Sequence, residues 1–346
     1  MVDRRTFLKG VSALGALGVS PAWAASAAAE AAEAPAADKL PELSGDLTVY
    51  LGRGEGGLYG QVVEAIRDRN PALSLEIRRG SSSGLANTLV AESEHGGARA
   101  DLFWSIDASS LGHVVNEGLA RPVPAVLHEP LPEAFRFEAF APVSGRVRSI
   151  AYNPERVRAG DLPERIMDLP DTGLTVGWAP SYGAFQSFLT AMRLLEGDAA
   201  TRAWLQGIQG RARSYAGELG AVMAAAQGEV DVALANHYYT LRLKEGQPDT
   251  SLELAFTRGD AGSLINTSGV TLLSQGSTPV DLVRYLQSRE VQSFLAEEAY
   301  EIPLAGGVET PAGVPALERL EPPELDLTRL GDVQPTLALM REAGVL

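Results

Sequence analysis

The chain has 346 residues, 45% of them hydrophobic and 21% charged, which is typical of a soluble globular protein long enough for two domains. Its net charge of -15 argues against nucleic acid or an anionic membrane surface as a partner. The absence of cysteine excludes disulfides, thiolate metal sites, cysteine nucleophiles and a lipid-modified N-terminus, and the 4 scattered histidines lack the spacing of a zinc site.

The first 24 residues have the features of an export signal. Arg4 and Arg5 precede Phe7-Leu8-Lys9 and a modestly apolar run over residues 10–19, and small residues then offer cleavage motifs. This pattern resembles a Tat signal, which directs the export of folded proteins, and it predicts a periplasmic protein that is not a lipoprotein. The apolar run is too short and too rich in glycine for stable membrane insertion.

Residues 25–44 are rich in Ala, Glu and Pro and predict a flexible tether, so that the folded part begins near Gly45. The periodicity that follows predicts a βαβαβα series and therefore a parallel sheet. Its predicted elements are strand Leu47–Leu51, a helix from Leu58 to near Asn70, strand Leu73–Ile77, helix Gly84–Glu94, strand Asp101–Trp104 and helix Ala108–Glu117.

A second α/β series is predicted after the proline-containing loop 122–142, and two such series predict two lobes with a cleft between them. Its strands are predicted at Val147–Tyr152, Thr175–Trp178, Arg213–Tyr215, Val232–Ala235, Leu252–Phe256 and Leu264–Leu273. Its helices are predicted at Gly183–Leu195, Ala199–Gln209, Glu218–Ala226, Thr240–Lys244, Pro279–Leu286, Val291–Ala299 and Val333–Ala343.

A glycine-rich turn, Gly52-Arg53-Gly54-Glu55-Gly56-Gly57, follows the first strand and matches the dinucleotide-binding pattern, with Glu76 near the later acidic position. Such a turn is also common in α/β proteins of other functions, and nothing later in the chain supplies an evident acid/base pair for hydride transfer. A Tat-exported NAD(P)-dependent oxidoreductase therefore remains an alternative, and it would have to retain NAD(P)H during purification.

The segment Trp178–Phe185 forms a second turn between a predicted strand and a predicted helix. The backbone N–H groups of Gly183 and Ala184 are therefore expected to point at an anion. Tyr182 lies at the mouth of this turn. The alternative interpretation is a helix cap at Ser181 beside a surface tyrosine.

Two adjacent tyrosines, Tyr238 and Tyr239, follow the short apolar strand that ends at Asn236. Open α/β sheets place their ligands at the carboxyl ends of strands. A phenolate is a hard oxygen donor that suits a highly charged cation able to displace a proton with an ordinary pKa of about 10. Aromatic pairs more often serve packing, so both roles remain open from these residues alone.

Arg146 lies in the segment Gly145–Arg148, where it either clamps a planar anion or forms an ordinary ion pair. His237 is predicted to be structural, because neighbouring side chains on a strand face opposite sides. The sequence contains neither the G-x-S-x-G pattern of a hydrolase nucleophile nor a Walker motif.

Seven short segments together resemble the ferric-ion-binding periplasmic proteins of ABC transporters, the transferrin-like iron carriers of bacteria, from about Leu47 to the C-terminus. The Asn-x-Tyr-Tyr sequence and the Gly-Ala-Phe turn are the most specific of them. The segments are Leu47–Tyr50, Ala100–Phe103, Gly145–Arg148, Ser181–Phe185, Asn236–Tyr239, Ser268-Gly269 and Ile302–Leu304.

The resemblance implies an α/β fold of the type II periplasmic-binding-protein class. In this fold each of two lobes is a mixed, mostly parallel sheet flanked by helices, and the ligand cleft lies between them. The implied N-lobe comprises 45–146 plus 266–302, and the implied C-lobe 147–265 plus 303–346. Crossing strands are implied near Arg146–Arg148, Leu264–Val270 and Ile302–Leu304.

The resemblance also implies the site residues. The phenolates of Tyr238, Tyr239 and Tyr182 would coordinate Fe3+, as in the three-tyrosine members of the family. A synergistic anion, carbonate or bicarbonate in this type and phosphate in others, would complete the site. Its expected contacts are Arg146, Gly183, Ala184 and Asn236.

The chain departs from the family pattern on the first lobe. Members with a histidine and a glutamate ligand there would place them at Gly54 and Ile106, neither of which can coordinate a metal. Glu55 and Asp107 are the neighbouring carboxylates and the candidates to replace them. The segment Tyr50–Glu55 resembles the start of relatives that lack the histidine.

The resulting prediction is a monomeric carrier without enzymatic activity that delivers Fe3+ to an inner-membrane ABC permease and its ATPase. An alternative keeps the fold but binds an oxyanion or a small organic solute, on which the tyrosines stack. Tyr238→Phe separates the two, because only iron binding depends on the phenolate.

Overall fold

The computed structural model describes residues 31–52 and 57–346. The predicted signal segment and Glu55 therefore lie outside the described residues. In the part that is described, no helix is both long enough and apolar enough to cross a membrane.

The first α/β series has the predicted order of elements and the predicted parallel pairing. Strand β1 pairs in parallel with β2 on one side and with β3 on the other. The elements are β1 (Gly45–Gly52), α1 (Leu58–Arg69), β2 (Leu73–Gly80), α2 (Ser82–Glu94), β3 (Leu102–Ser105) and α3 (Ala108–Asn116).

The second series also confirms the predicted order, and β5 pairs in parallel with β6 and β7. Its strands are β4 (Ala141–Tyr152), β5 (Val176–Trp178), β6 (Ala212–Ser214), β7 (Val232–Asn236), β8 (Glu253–Ala255), β9 (Ile265–Leu272) and β10 (Ile302–Pro303). Its helices are α4 (Gly183–Glu196), α5 (Asp198–Gln209), α6 (Glu218–Gln227), α7 (His237–Gly246), α8 (Ser277–Leu286), α9 (Arg289–Ala299), α10 (Leu317–Leu320) and α11 (Gln334–Glu342).

Strand β4 joins the two halves of the sheet, whose strand order is β2-β1-β3-β9-β4-β7-β5-β6. Its first half, Ala141–Val147, pairs antiparallel with β9, and its second half, Arg148–Tyr152, pairs antiparallel with β7. All 12 residues are buried. The strand begins at Ala141, inside the loop predicted at 122–142. This start was not predicted from the sequence because Pro142 interrupts the strand pattern. The register with β9 also shifts between Pro142 and Ser144.

The segment predicted as a flexible tether differs from that prediction where it is described. Ala34, Ala37, Leu40 and Leu43 are buried, and the last three join the core formed by β1, α1, α8 and α9. Ala34 N–H also donates to the Gly306 carbonyl at 2.7 Å. These alanines and spaced leucines pack on a surface around one short 3-10 helix, Ala37–Lys39, so the folded part begins before Gly45.

The C-terminal segment contacts helices of both predicted lobes. A 3-10 helix, Leu327–Gly331, packs on α3 so closely that a Cβ at Gly112 would clash with the Thr328 carbonyl oxygen. Helix α11 packs on α4, where Thr190 Oγ1 donates to Thr336 Oγ1 at 3.0 Å. The C-terminal segment therefore connects α3 to α4 by packing against both helices.

A Gly112→Ala variant is expected to lose about 1–3 kcal/mol of unfolding free energy, because the added methyl group meets backbone rather than a flexible side chain. Urea denaturation measures the loss. Gly160→Ala is the matched control, since nothing lies within 4 Å of a Cβ placed there. Equal midpoints for the two variants would show that α3 and the C-terminal segment are not tightly packed.

Candidate metal centre

The tyrosine pair lies in the first turn of a helix, which corrects the prediction that it ends a strand. Strand β7 ends at Asn236, whose extended backbone (φ -69, ψ 141) is the N-cap of α7. Helix α7 begins at His237, three residues earlier than the sequence indicated. Because helical side chains tilt toward the N-terminus, Tyr238 and Tyr239 project toward the start of the helix.

The start of α4 meets this pair. Tyr182 is the N-cap of α4, and its hydroxyl group lies 2.8 Å from the hydroxyl group of Tyr239. The rings of Tyr238 and Tyr239 are 4.4 Å apart between centroids. Two helix starts, distant in sequence, thus bring the three predicted phenols together.

The same helix start presents the predicted anion donors. Gly183 and Ala184 are the first residues of α4, and N–H groups in a first helical turn have no intrahelical acceptor. Tyr182, and not Ser181, occupies the N-cap position, and its side chain makes no capping bond. The helix dipole adds a partial positive charge at this end.

Burial keeps the phenols of Tyr238 and Tyr239 protonated in this arrangement. Desolvation raises the pKa of the Tyr238 phenol, and the positive charge of Arg146 opposes that rise. The pKa of the Tyr239 phenol is also raised, first by desolvation and then by the neighbouring phenols of Tyr238 and Tyr182. A cation that binds here must therefore displace the phenolic protons.

His237 is fully buried and forms a hydrogen bond to the backbone. Its Nε2 donates to the Tyr300 carbonyl at 2.6 Å, and desolvation lowers its pKa to about 4. The histidine is therefore neutral at pH 7 and ties α7 to the end of α9. This contact agrees with the predicted structural role, but it arises from a helical position and not from strand alternation.

Arg146 is buried and already paired. Its Nη2 donates to Glu301 Oε1 at 2.9 Å and to the Tyr59 hydroxyl at 3.0 Å, and its Nη1 donates to the Ile106 carbonyl. Glu301 also accepts bonds from Tyr59 and Ser144. Both terminal nitrogens of the guanidinium group are thus hydrogen-bonded within the protein. The group can act on the site through its positive charge, but it is not free to bind an anion through two hydrogen bonds.

Arg148, two residues further along β4, is also buried. Its Nη1 donates to the Glu218 carboxylate and lies 3.4 Å from Asn236 Oδ1. Glu218, fully buried at the start of α6, also accepts the Asn236 N–H at 2.9 Å. Asn236 Nδ2 lies 3.4 Å from the Tyr238 hydroxyl oxygen, so the network reaches the phenols.

The carboxylate candidates on the first lobe are not brought to the phenols by any described contact. Asp107 is the N-cap of α3 and accepts the Ser110 N–H at 2.8 Å, so its charge serves the helix start. Glu55 lies outside the described residues. Within the described ranges, no group of three or more His, Cys, Asp or Glu side chains could hold a metal.

Sequence reasoning missed Glu218, Arg148, Glu301 and Tyr59. The period of 2 along β4 could have indicated that Arg148 shares a face with Arg146. No local pattern indicates Glu218 or Glu301, because each is a single acidic residue at a helix end, and their partners lie 70 and 155 residues away.

Comparison with known proteins decides the family. Residues 47–301 match the model of the bacterial extracellular solute-binding proteins. The chain belongs to this solute-binding family. This is a family of solute-binding proteins and not an enzyme class.

Characterised relatives of the solute-binding protein include iron-binding proteins. It is 28% identical over 316 residues to the major ferric iron-binding protein of Neisseria meningitidis serogroup A, which covers 87% of this chain and 93% of the relative. It is 31% identical over 274 residues to iron uptake protein A2 of Synechocystis, which covers 73% of this chain and 79% of the relative.

A solved structure confirms the predicted two-lobed fold. Iron-bound HitA from Pseudomonas aeruginosa aligns with a TM-score of 0.74 at 26% sequence identity, covering 88% of this chain and 100% of HitA. The solute-binding protein thus has the type II architecture that its sequence segments implied.

Proposed function

We propose that this protein captures Fe3+ in its cleft through the phenolates of Tyr182, Tyr238 and Tyr239. The observation that carries the proposal is the contact of the Tyr182 and Tyr239 hydroxyl groups at 2.8 Å, beside the Tyr238 ring, which packs tilted against that of Tyr239. Three oxygen donors of one chemical type meet where two helices begin. The names of its relatives, a ferric iron-binding protein and an iron uptake protein, support the same ligand.

Charge balance explains why tyrosine suits this cation. Three phenolates neutralise Fe3+, whereas three neutral phenols would leave its charge uncompensated in a buried site. A synergistic anion, carbonate or bicarbonate, then fills the remaining coordination positions. The N–H groups of Gly183 and Ala184 and the Asn236 amide hold it, and Arg146 adds its positive charge, which also acts on Tyr238.

The protein would act as a carrier in the periplasm. Export by a Tat signal over residues 1–24 would place it there, and a membership in the solute-binding family fits delivery to an inner-membrane ABC permease and its ATPase. It would act as a monomer and without catalysis. Protonation of the anion or reduction of the iron would weaken the site and release the cargo.

The test is a visible absorbance titration of the mature protein with Fe3+ in bicarbonate buffer. A phenolate-to-iron charge-transfer band that saturates near one equivalent is expected. Absence of the band in protein shown to be folded by circular dichroism would eliminate the iron proposal and direct the search to organic solutes.

Iron affinity is expected to fall steeply as the pH is lowered. Burial raises the pKa values of Tyr238 and Tyr239 above the ordinary tyrosine value of about 10, so both phenols are protonated at pH 6–8. Each of them must therefore lose a proton to bind iron. The apparent affinity should therefore drop about tenfold per coordinating tyrosine for each pH unit.

Competition with citrate over pH 6–8, corrected for the protonation of citrate, measures this slope. Tyr239→Phe should reduce the slope by about one proton, and the contributions of the anion cancel between the two proteins. Identical slopes would mean that Tyr239 does not coordinate as a phenolate.

A further inference from the structure

The ring of Tyr238 contacts both an aromatic ring and a cation. The Tyr239 ring lies 4.4 Å away between centroids, and the Arg242 guanidinium carbon lies 4.7 Å from the Tyr238 ring centroid. Tyr238 and Arg242 are four residues apart in α7, so their side chains share one face of the helix. A guanidinium group is attracted to the negative face of an aromatic ring. This contact is therefore favourable before any metal binds.

Arg242 is itself anchored on another helix. Its Nη2 donates to the Ala299 carbonyl at 3.0 Å, in a partly buried position. Ala299 is the last residue of α9, and carbonyl groups in the last turn of a helix have no intrahelical donor. The negative end of the helix dipole also favours a cation there. The guanidinium group thus links the end of α9 to the ring of Tyr238.

The end of α9 is a firm anchor because it is part of a separate core. Leu295 and Ala299 join the buried cluster formed by β1, α1 and α8. The carbonyl of the next residue, Tyr300, accepts the bond from His237 Nε2 at 2.6 Å. Helix α7 is therefore attached to this helix end at its first residue and again, through Arg242, about one and a half turns later.

We infer that Arg242 is a positioning residue for iron binding, which holds the ring of Tyr238 against the end of α9 so that its oxygen is in place when iron arrives. A ring without this contact has more rotational freedom, and ordering it on binding costs free energy. The guanidinium group also places a positive charge over a ring that carries negative charge once it coordinates iron. This inference rests on the proposed function, in which the Tyr238 oxygen is an iron ligand.

Arg242→Met tests the inference, because methionine keeps an unbranched apolar side chain but removes the charge and the donors. Iron affinity is expected to fall about 10–100-fold in competition with citrate at constant pH, as for other partners that orient metal ligands. The charge-transfer band is expected to move to longer wavelength, because a phenolate without a nearby cation gives up an electron to iron at lower energy. Arg242→Lys should recover part of both changes, since it keeps the charge but not the planar donor fork.

Arg69→Met is the matched control. Arg69 is also partly exposed, its guanidinium carbon lies 5.8 Å from the Tyr285 ring centroid, and its Nε donates to the Tyr285 hydroxyl at 3.0 Å. Tyr285 belongs to α8 and is not one of the proposed ligands. The substitution therefore removes the same charge and the same kind of contact, and iron affinity and band position should equal those of the wild type.

A double-mutant cycle with Tyr238→Phe separates positioning from a general distortion of the site. Phenylalanine keeps a ring face for the guanidinium group but has no oxygen to position. In protein that carries Tyr238→Phe, Arg242→Met should therefore change iron affinity by no more than about twofold. A general distortion would lower the affinity equally in both backgrounds.

An Arg242→Met protein with the affinity and band position of the wild type would overturn the inference, as would equal losses in the two backgrounds. The band position decides even if Tyr238→Phe binds too little iron for the cycle. If Arg242→Met does not fold, Arg242→Gln, which keeps N–H donors without the charge, should show the same shift of the band. A wild-type protein that forms no band would instead refute iron coordination by the tyrosines, and the positioning role with it.

Discussion

A Tyr238→Phe variant is expected to have a weaker charge-transfer band and to lose more than about 100-fold in iron affinity. Partners that merely orient metal ligands cost 10–100-fold when removed, and a direct ligand contributes more. Tyr238 is 4% exposed, so water cannot easily take the place of its oxygen. The ring itself is kept, which leaves its packing against Tyr239 and under Arg242 nearly unchanged.

Tyr152→Phe is the matched control for this variant. Tyr152 is also a buried tyrosine of the second series, but it lies at the far end of β4, opposite Val232 at the start of β7. Its loss should leave the absorbance titration unchanged. Undiminished iron affinity in Tyr238→Phe would show that Tyr238 does not coordinate iron as a phenolate.

A Glu301→Gln variant is expected to lose about 3–5 kcal/mol of unfolding free energy, because it leaves the buried guanidinium of Arg146 without a counter-charge. Glu301 is 1% exposed and accepts bonds from Arg146, Tyr59 and Ser144. Glu301 directly precedes β10, which pairs with β4. The loss of stability is therefore expected at the connection between the two halves of the sheet. Urea denaturation measures the change.

Asp161→Asn is the control, since its ion pair with Arg158 has a similar length of 3.0 Å but is exposed to solvent. It should not change the midpoint measurably, because exposed pairs contribute little. The double variant Arg146→Met, Glu301→Gln should recover part of the loss by removing the stranded charge. A single variant as stable as the wild type would show that the buried pair is not coupled to folding.

The order of strands and helices was predictable because each element carries its own period of apolar residues. The parallel pairs of β1 with β2 and β3 follow from the alternation of strands and helices, and they are found. The start of β4 was missed because Pro142 interrupts its pattern, and the 3-10 helix Leu327–Gly331 was missed because short turns have little periodicity. The packing of Ala37 and Leu40 could not be predicted, since it depends on a surface made by distant segments.

The sequence by itself determined the chemistry available to this protein: no thiol, no histidine cluster, and tyrosines placed after strands in an α/β chain. It also determined the family, through short segments in a characteristic order. Only the tertiary structure decided which charges act at the site. Arg146 and Arg148 look alike in the sequence, but Glu301 and Glu218 lie 155 and 70 residues away from them. Buried charges must find a partner, and the fold alone determines which partner is within reach.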